Sequence, residues 1–357
     1  MSRLRRKLTV LVISLLAVSI VVYLSFYLVN RSKKAKYYSG PLLVGQEIMK
    51  DEPFGFPTEI VCVGQRIAIL DCALVKGSGK MRVYDCSDLS YEGSTARTGA
   101  GVGEVRDPTG LNAAGRNEVE FSISHLSLEH FTVYRLDRYG QIKAERIVTP
   151  KGGMPYGSVM VNDTMILNLA FGITSNRVAV YDSAGNLVKR VGVLLPGKNR
   201  KTPVHIHNQA SQGTIRLKPH GSRFVVNALC SDIIEIYNLD GTLVKRFHGP
   251  LNVSPRYDMV SVNKIPVMAP DERCAQFGYV HLAVSDERIY ALYCGRPFAQ
   301  HNVHSRYVHV YNWDGDFLKT YMLDPPVGKF AIDTRGERFF GIALEPRVRM
   351  LMFKIKD

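Results

Sequence analysis

The chain has 357 residues, of which 46% are hydrophobic and 10% aromatic, enough to bury the core of one large domain. Its formal charge of +14 is unevenly placed, because eight of the 46 lysines and arginines, and no acidic residue, lie within residues 1–36. The rest of the chain has a surplus of only six positive charges and no basic block, which argues against a nucleic-acid partner.

An uncharged apolar run of 22 residues, 8–29, follows the short basic N-terminal tail. At a rise of about 1.5 Å per residue, a helix of this length crosses the roughly 30 Å hydrocarbon core of a bilayer. A cleaved signal peptide usually has a shorter apolar region and a small-x-small cleavage site, whereas Ser25-Phe26-Tyr27 is a poor site. The sequence therefore predicts an uncleaved signal anchor that binds the membrane through residues 8–29.

Basic residues flank the apolar run on both sides, so flanking charge alone leaves the orientation open. A short basic tail with the extra α-amino charge normally stays in the cytoplasm. We therefore expect residues 1–37 to form a cytoplasmic tail, a transmembrane anchor and a basic flank. Residues 38–357 would then form one domain on the outer side of the membrane.

A ten-residue pattern occurs three times in this domain, at 180–189, 236–245 and 310–319. In each copy a β-branched residue and a tyrosine end one strand, a polar turn contains glycine at a fixed place, and apolar residues begin the next strand. Looser copies begin at Val133 and Val83. The five tyrosines recur at intervals of 50, 47, 56 and 74 residues, which is typical of propeller blades.

Strand-like runs predict six blades, at about 57–95, 105–148, 155–192, 213–248, 277–323 and 325–357. The last of these has three strands, whereas a propeller blade has four. The run 42–49 has no hairpin partner of its own, so we expect it to complete the last blade and close the ring. The predicted fold class is all-β: a six-bladed β-propeller over residues 38–357, preceded by an N-terminal transmembrane helix.

Several segments resemble one known family. They are 99–104, 233–241, 289–293, 308–324, 330–333 and 340–342. Together they are similar to the TolB-like six-bladed propeller lipoproteins of Bacteroidetes, and the resemblance covers about residues 40–357. It implies a periplasmic domain facing the cell envelope and brings no catalytic residue with it. No cysteine precedes Cys62, so the lipidated cysteine of that family is missing here, and the predicted transmembrane helix would provide the tether instead.

Ten histidines raise the question of a metal site. His205 and His207 would share one face if Val204-His205-Ile206-His207 is a strand. A metal site needs three or four converging ligands, and neither an HExxH nor a CxxC motif is present. Surface histidines in loops are the simpler interpretation.

The six cysteines have no zinc-like spacing. Cys72 and Cys86 would be near each other across a hairpin, so one disulfide is an option in an oxidising compartment. The sequence leaves this pairing open.

These observations assign no catalytic, cofactor-binding or metal-binding residue. The favoured hypothesis is a non-enzymatic binding or scaffold protein, anchored in the bacterial inner membrane with its propeller in the periplasm. Its partner would be a protein, peptide or glycan held by the long insertions 193–212, 249–278 and 295–307, since recognition usually lies on loops of a rigid scaffold. The alternative is a metal-dependent hydrolase or lyase of the lactonase or amidating-lyase type, with ligands at the propeller axis.

Overall fold

A computed structural model describes most of the domain and little of the N-terminal region. The described residues are 19, 23, 34–50, 54–72, 80–95, 99, 101, 103–113, 120–125, 127–137, 142–169, 175–195, 202–262, 264–301 and 303–355. The predicted anchor, 8–29, lies outside them apart from Ser19 and Tyr23. Within the described part, no helix is both long enough and apolar enough to span a bilayer.

The described strands form six blades of antiparallel strands and one separate hairpin, which confirms the predicted all-β six-bladed propeller. The chain begins with β1 (Leu42–Val44) and β2 (Gln46–Ile48). The first two blades are β3 (Pro57–Val63), β4 (Arg66–Asp71), β5 (Met81–Asp85) and β6 (Tyr91–Thr95), then β7 (Pro108–Ala113), β8 (Glu120–His125), β9 (His130–Leu136) and β10 (Ile142–Val148). The third is β11 (Ser158–Asn162), β12 (Met165–Leu169), β13 (Val178–Asp182) and β14 (Leu187–Val191).

Helix α1 (Val204–Ala210) leads into the fourth blade, which is followed by the separate hairpin. They comprise β15 (Ile215–Leu217), β16 (Arg223–Asn227), β17 (Ile233–Asn238) and β18 (Leu243–His248), then β19 (Tyr257–Val262) and β20 (Ile265–Pro270). The fifth blade is β21 (Tyr279–Val284), β22 (Arg288–Tyr293), β23 (Ser305–Asn312) and β24 (Phe317–Val327), with a 3₁₀ turn at Phe298–Gln300. The sixth is β25 (Lys329–Ile332), β26 (Arg338–Ala343) and β27 (Arg349–Lys354), joined by β2.

The repeated sequence pattern forms the outer hairpin of the third, fourth and fifth blades. Its glycines, Gly185, Gly241 and Gly315, have φ of 79°, 93° and 79°, a left-handed conformation that glycine adopts without steric penalty. In each copy the strand register shifts at the tyrosine, which places a β-bulge there. The pattern therefore encodes both the turn and a bulge, and the tyrosines are buried.

The first strand of each blade lies innermost, and these six strands make a closed ring. Contacts run from β3 to β7, β11, β15, β21 and β25, and then back to β3. Apolar side chains fill the space between neighbouring blades, as where Val159 and Leu167 of the third blade pack with Phe224 of the fourth. The core is thus a set of layers between blades around a central axis.

Residues 42–49 were expected to form one strand that completes the ring. They form two strands instead, β1 and β2. β2 pairs antiparallel with β27, where Gln46 lies opposite Met352. β1 instead pairs in parallel with β24 of the preceding blade, where Leu42 lies opposite Met322. Gly45 joins them, and a Cβ there would lie 2.7 Å from the Phe353 ring, so only glycine fits this crossing between two blades.

The three long insertions lie on one face of the ring. Each blade is a meander whose first strand starts at this face, so the links between blades and the connections between second and third strands also lie there. Helix α1, the β19–β20 hairpin and the 3₁₀ turn belong to these insertions. We call this side the insertion face; the opposite side carries the short turns.

Candidate functional site

The inner strands bring a cluster of charged side chains to the propeller axis. Glu59 comes from β3, Arg216 from β15, His281 from β21 and Lys329 from β25, while Asn112 of β7 lies beside them. Five of the six blades therefore contribute to it. We call these five residues the axial cluster.

Glu59 is the carboxylate of this cluster and is bound on both oxygens. Lys329 Nζ donates to Oε1 at 2.7 Å, and His281 Nε2 lies 3.0 Å from Oε2. Arg216 adds an ion pair at 3.5 Å. Burial alone would raise the pKa of Glu59, but the three neighbouring groups outweigh it and hold that pKa well below its usual range.

Arg216 donates to partners all around its guanidinium. Nε donates to the Leu282 carbonyl at 3.1 Å, and Nη1 donates to the Ile215 carbonyl at 3.0 Å and to Asn112 Oδ1. Nη2 faces His281 and Glu59. Burial lowers the pKa of Arg216 despite the Glu59 charge. The positive charge is thus committed to partners inside the ring.

His281 is fully buried between these charges. Burial is the main reason that its pKa falls to about 4; Lys329 and Arg216 add to that effect and Glu59 opposes it. The His281 imidazole is therefore uncharged at neutral pH. Nε2 lies 3.0 Å from both Glu59 Oε2 and Arg216 Nη2, so it donates to the first in one tautomer and accepts from the second in the other. In either tautomer Nδ1 has no hydrogen-bond partner among the described residues.

A cavity of about 70 Å³ adjoins the cluster on the axis, enough for a few water molecules. Arg216 and Asn112 supply its polar wall, and apolar residues such as Leu217, Leu282 and Phe330 supply the rest. Because the apolar residues follow the cluster residues along the inner strands, the cavity lies on the side away from the insertion face. The cluster therefore separates this cavity from the insertion face.

The chemistry of the axial cluster is that of a buried ion-paired network. Within the described ranges, no three His, Cys, Asp or Glu side chains form a group that could hold a metal ion. Glu59 has two cations and an imidazole within hydrogen-bonding or ion-pairing distance, so its carboxylate is satisfied within the cluster. It ties together strands that are far apart in sequence.

His205 and His207, which the sequence analysis considered for a metal site without assigning one, lie elsewhere. Val204-His205-Ile206-His207 is in helix α1 and not in a strand, so His205 and His207 do not share a face. His207 Nδ1 is hydrogen-bonded to the Tyr257 hydroxyl of the hairpin. The strand interpretation of this stretch was wrong because its apolar alternation is short, and because the helix is stabilised by packing on β20.

The Cys72–Cys86 disulfide that the sequence left open is not formed in the structure. All six cysteines are free thiols. Cys72 follows β4 at the insertion face and contacts the Thr58 hydroxyl at 3.2 Å, whereas Cys86 follows β5 at the opposite face. The neighbour of Cys86 is Cys62, and their mutual hydrogen bond together with burial raises the pKa of Cys62.

Helix α1 and the β19–β20 hairpin pack together as one module on the insertion face. Gln209 Oε1 accepts the Met268 amide of β20 at 2.7 Å, and Tyr257 and His207 add the contact described above. The link leading to the hairpin is fixed by the buried Asp232, which accepts three backbone amides at 2.7–2.9 Å. These are the amides of Leu251, Asn252 and Val253.

This module exposes apolar side chains to solvent. Met259 is 55% exposed, Val260 42% and Val262 54%, and Val204 of the helix is 42% exposed. Met259 and Val260 are consecutive, so β19 presents exposed apolar side chains on both of its faces. Clustered exposed apolar residues on a folded domain mark interaction sites more often than isolated ones do.

Sequence reasoning missed the axial cluster. A signal was present, because single charged residues interrupt apolar inner strands at Ile215-Arg216-Leu217 and Val280-His281-Leu282. Buried charges of this kind are rare unless they are paired. Recognising which ones meet, however, needs the ring itself.

The TolB-like 6-blade propeller-like family matches residues 47–335. No curated protein matches the chain. Similar solved structures include the Cps50 (Swd1) β-propeller domain of Myceliophteria thermophila, at 11% identity and a TM-score of 0.47, covering 87% of this chain and 100% of that one. Hydrazine synthase of Kuenenia stuttgartiensis matches at 10% identity and 0.47, with the same coverages, and U3-55K at 8% and 0.49, covering 84% and 95%. Since the family covers most of the chain, this protein belongs to the TolB-like six-bladed propeller family.

Proposed function

We propose that this chain is a membrane-anchored propeller of the bacterial envelope that binds a protein, peptide or glycan partner on its insertion face and is not an enzyme. The apolar run 8–29 with its basic flanks supports the inner-membrane anchor, and the resemblance to the Bacteroidetes lipoproteins supports a periplasmic domain. In this proposal the transmembrane helix replaces the lipid as the tether.

The observation that carries the proposal is the apolar module on the insertion face. All three long insertions gather there, and helix α1 and the hairpin hold Met259, Val260 and Val262 exposed on a defined support. A rigid ring that presents variable loops at one side is a common arrangement for recognition. The axial groups that the alternative hydrolase or lyase would need are engaged with one another, as Glu59 is with Lys329 and His281.

The test is capture of a partner by the full chain extracted with its membrane. A variant with Met259→Ser, Val260→Ser and Val262→Ser removes the exposed apolar side chains of the hairpin. A matched control, Val188→Ser with Leu243→Ser, removes exposed apolar side chains at the outer strands of the third and fourth blades. We expect one specific partner to be recovered with the parent chain and with the control, and lost with the hairpin variant.

Two further measurements bear on the proposal. Resistance of the full chain to alkaline extraction, together with protease access from the periplasmic side, tests the anchor and its orientation. Stoichiometric zinc or calcium in the purified chain, accompanied by turnover of a lactone or amide substrate, would instead establish the hydrolase or lyase.

A further inference from the structure

The backbone register of the hairpin shows which groups its two strands leave free. The Asp271 amide donates to the Arg256 carbonyl at 3.1 Å, so the even-numbered residues of β19 carry the hydrogen bonds to β20. The amides and carbonyls of Tyr257, Met259 and Ser261 therefore point away from β20. In the described part of the chain, β19 and β20 form a sheet of two strands only.

The outer edge of β20 is closed. The residues opposite Tyr257, Met259 and Ser261 are Pro270, Met268 and Pro266, which point outward on that side. Proline has no amide hydrogen, and the Met268 amide already donates to Gln209 at 2.7 Å. A further strand therefore cannot pair with β20.

The outer edge of β19 is open. Within the described residues, no neighbour accepts from the amides of Tyr257, Met259 and Ser261, and residues 258–262 are exposed. Natural proteins usually protect such an edge with prolines, charges or a covering segment. This hairpin protects one edge in that way, while no described residue covers the other, which has exposed apolar side chains on both faces.

We propose that the open edge of β19 binds an extended apolar peptide segment of the partner protein, which adds to the hairpin as a third strand. This proposal rests on the proposed function and names its partner class. The three free amides and carbonyls match an added strand, and alternate apolar side chains of that strand would cover Met259 on one face and Val260 and Val262 on the other. A lipid surface would cover the side chains but would leave those amides without acceptors.

The charges at the two ends of the β19 edge indicate which charges the bound segment should have. Arg256 precedes β19 and Lys264 follows it, and both are exposed. Neither forms an ion pair with another described residue, whereas Asp258 lies near Arg273. A segment with an apolar centre and an acidic residue at each end is complementary to this edge.

The test uses the full chain in detergent and a short fluorescent peptide of alternating valine and threonine with an acidic residue at each end. Two comparison peptides have a central proline or lysines at the ends. The informative variant is Ser261→Pro, which removes an outward amide without removing a hydrogen bond to β20. Ser261→Ala is its matched control because it keeps that amide.

We expect the acidic-ended peptide to bind the parent chain and the Ser261→Ala variant, and to bind the Ser261→Pro variant about tenfold more weakly. The proline-containing peptide should not bind, and the lysine-ended peptide should bind more weakly. Equal binding of the strand peptide and its proline-containing counterpart overturns the proposal. So does a chain dimer that Ser261→Pro converts to monomer, since a second copy then occupies the edge.

Two results separate this proposal from the function on which it rests. If the membrane-extracted chain captures the same partner with Ser261→Pro as with Ser261→Ala, the strand addition is wrong and the binding function stands. If neither the parent chain nor any variant captures a partner, the proposed binding function itself is wrong. Binding to phosphatidylcholine vesicles that Ser261→Pro leaves unchanged, and that the triple serine variant abolishes, would assign the edge to a lipid surface instead.

Discussion

The propeller axis and the β19–β20 hairpin both depart from the usual distribution of residues, in opposite directions. At the axis, charged groups are largely removed from solvent, and Glu59 pairs with both Arg216 and Lys329. On the hairpin, the apolar side chains of Met259, Val260 and Val262 are about half exposed. The difference teaches that an unusual position does not by itself indicate function. The axial carboxylate has its partners within the ring, whereas the exposed apolar side chains of the hairpin are the basis of the proposed partner site.

The largest expected effect is at the axis. Glu59→Ala leaves Arg216 and Lys329 without their carboxylate, and breaking a buried ion pair in this way costs about 3–5 kcal/mol of unfolding free energy. Urea unfolding of both chains measures it. Glu47→Ala is the control, since Glu47 pairs with Arg347 at the surface, at 2.8 Å, and such a pair contributes about 1 kcal/mol or less. Similar losses in the two variants would show that the axial cluster is not structural.

The second effect is a loss of stability in acid. His281 has a folded pKa of about 4, below the ordinary value of 6.5. Between these two pH values the unfolded chain therefore binds a proton at His281 that the folded chain does not bind. Its contribution is therefore complete above pH 6.5 and is lost as the pH falls towards 4, by about 3 kcal/mol. His309 and His125, with pKa values of about 3 and about 4, add to the same trend.

Unfolding free energies at several pH values between 7 and 4 measure this effect. Replacing His281 by glutamine should reduce the pH slope by about one proton in that range and leave the contributions of His309 and His125. An unchanged slope in this variant would mean that His281 is not held neutral by its surroundings.

The fold could be predicted from the sequence because its determinants are local. Val180-Tyr181, Ile236-Tyr237 and Val310-Tyr311 each precede a turn with glycine at a fixed place, and each copy forms the same bulged hairpin. A pattern within ten residues encodes such a unit, and repetition does the rest. The split of 42–49 into two strands was missed, because Gly45 acts through its close approach to Phe353, which is far away in sequence.

The axial cluster and the hairpin module could not be predicted in the same way. His281 and Glu59 are 222 positions apart, and only closure of the ring places them 3.0 Å from each other. Helix α1 follows Pro203 and has seven residues, too few to be stable without the hairpin that covers it. The membrane anchor, like the hairpins, was inferred from a local feature of the sequence, the apolar run 8–29, and it remains a prediction.

A smaller effect is expected where the hairpin meets its support. Gln209→Ala removes the acceptor of the Met268 amide and should lower local stability by about 1 kcal/mol. Hydrogen exchange of that amide would then become faster, while the amides of the blades keep their rates. Gln209→Glu retains an oxygen acceptor and serves as the matched control. If exchange at Met268 is the same in both variants, Gln209 does not close this edge of β20.

The smallest effect on stability is expected on the exposed side of the hairpin. Met259 and Val262 are more than half exposed, so replacing both by serine removes little buried area and should change the unfolding free energy by about 0.5 kcal/mol or less. The same two substitutions should abolish capture of the partner. In this variant partner capture is lost while stability hardly changes, whereas Glu59→Ala should show the reverse. A large loss of stability would mean that these side chains pack within the domain, and the contrast between the axis and the hairpin would then disappear.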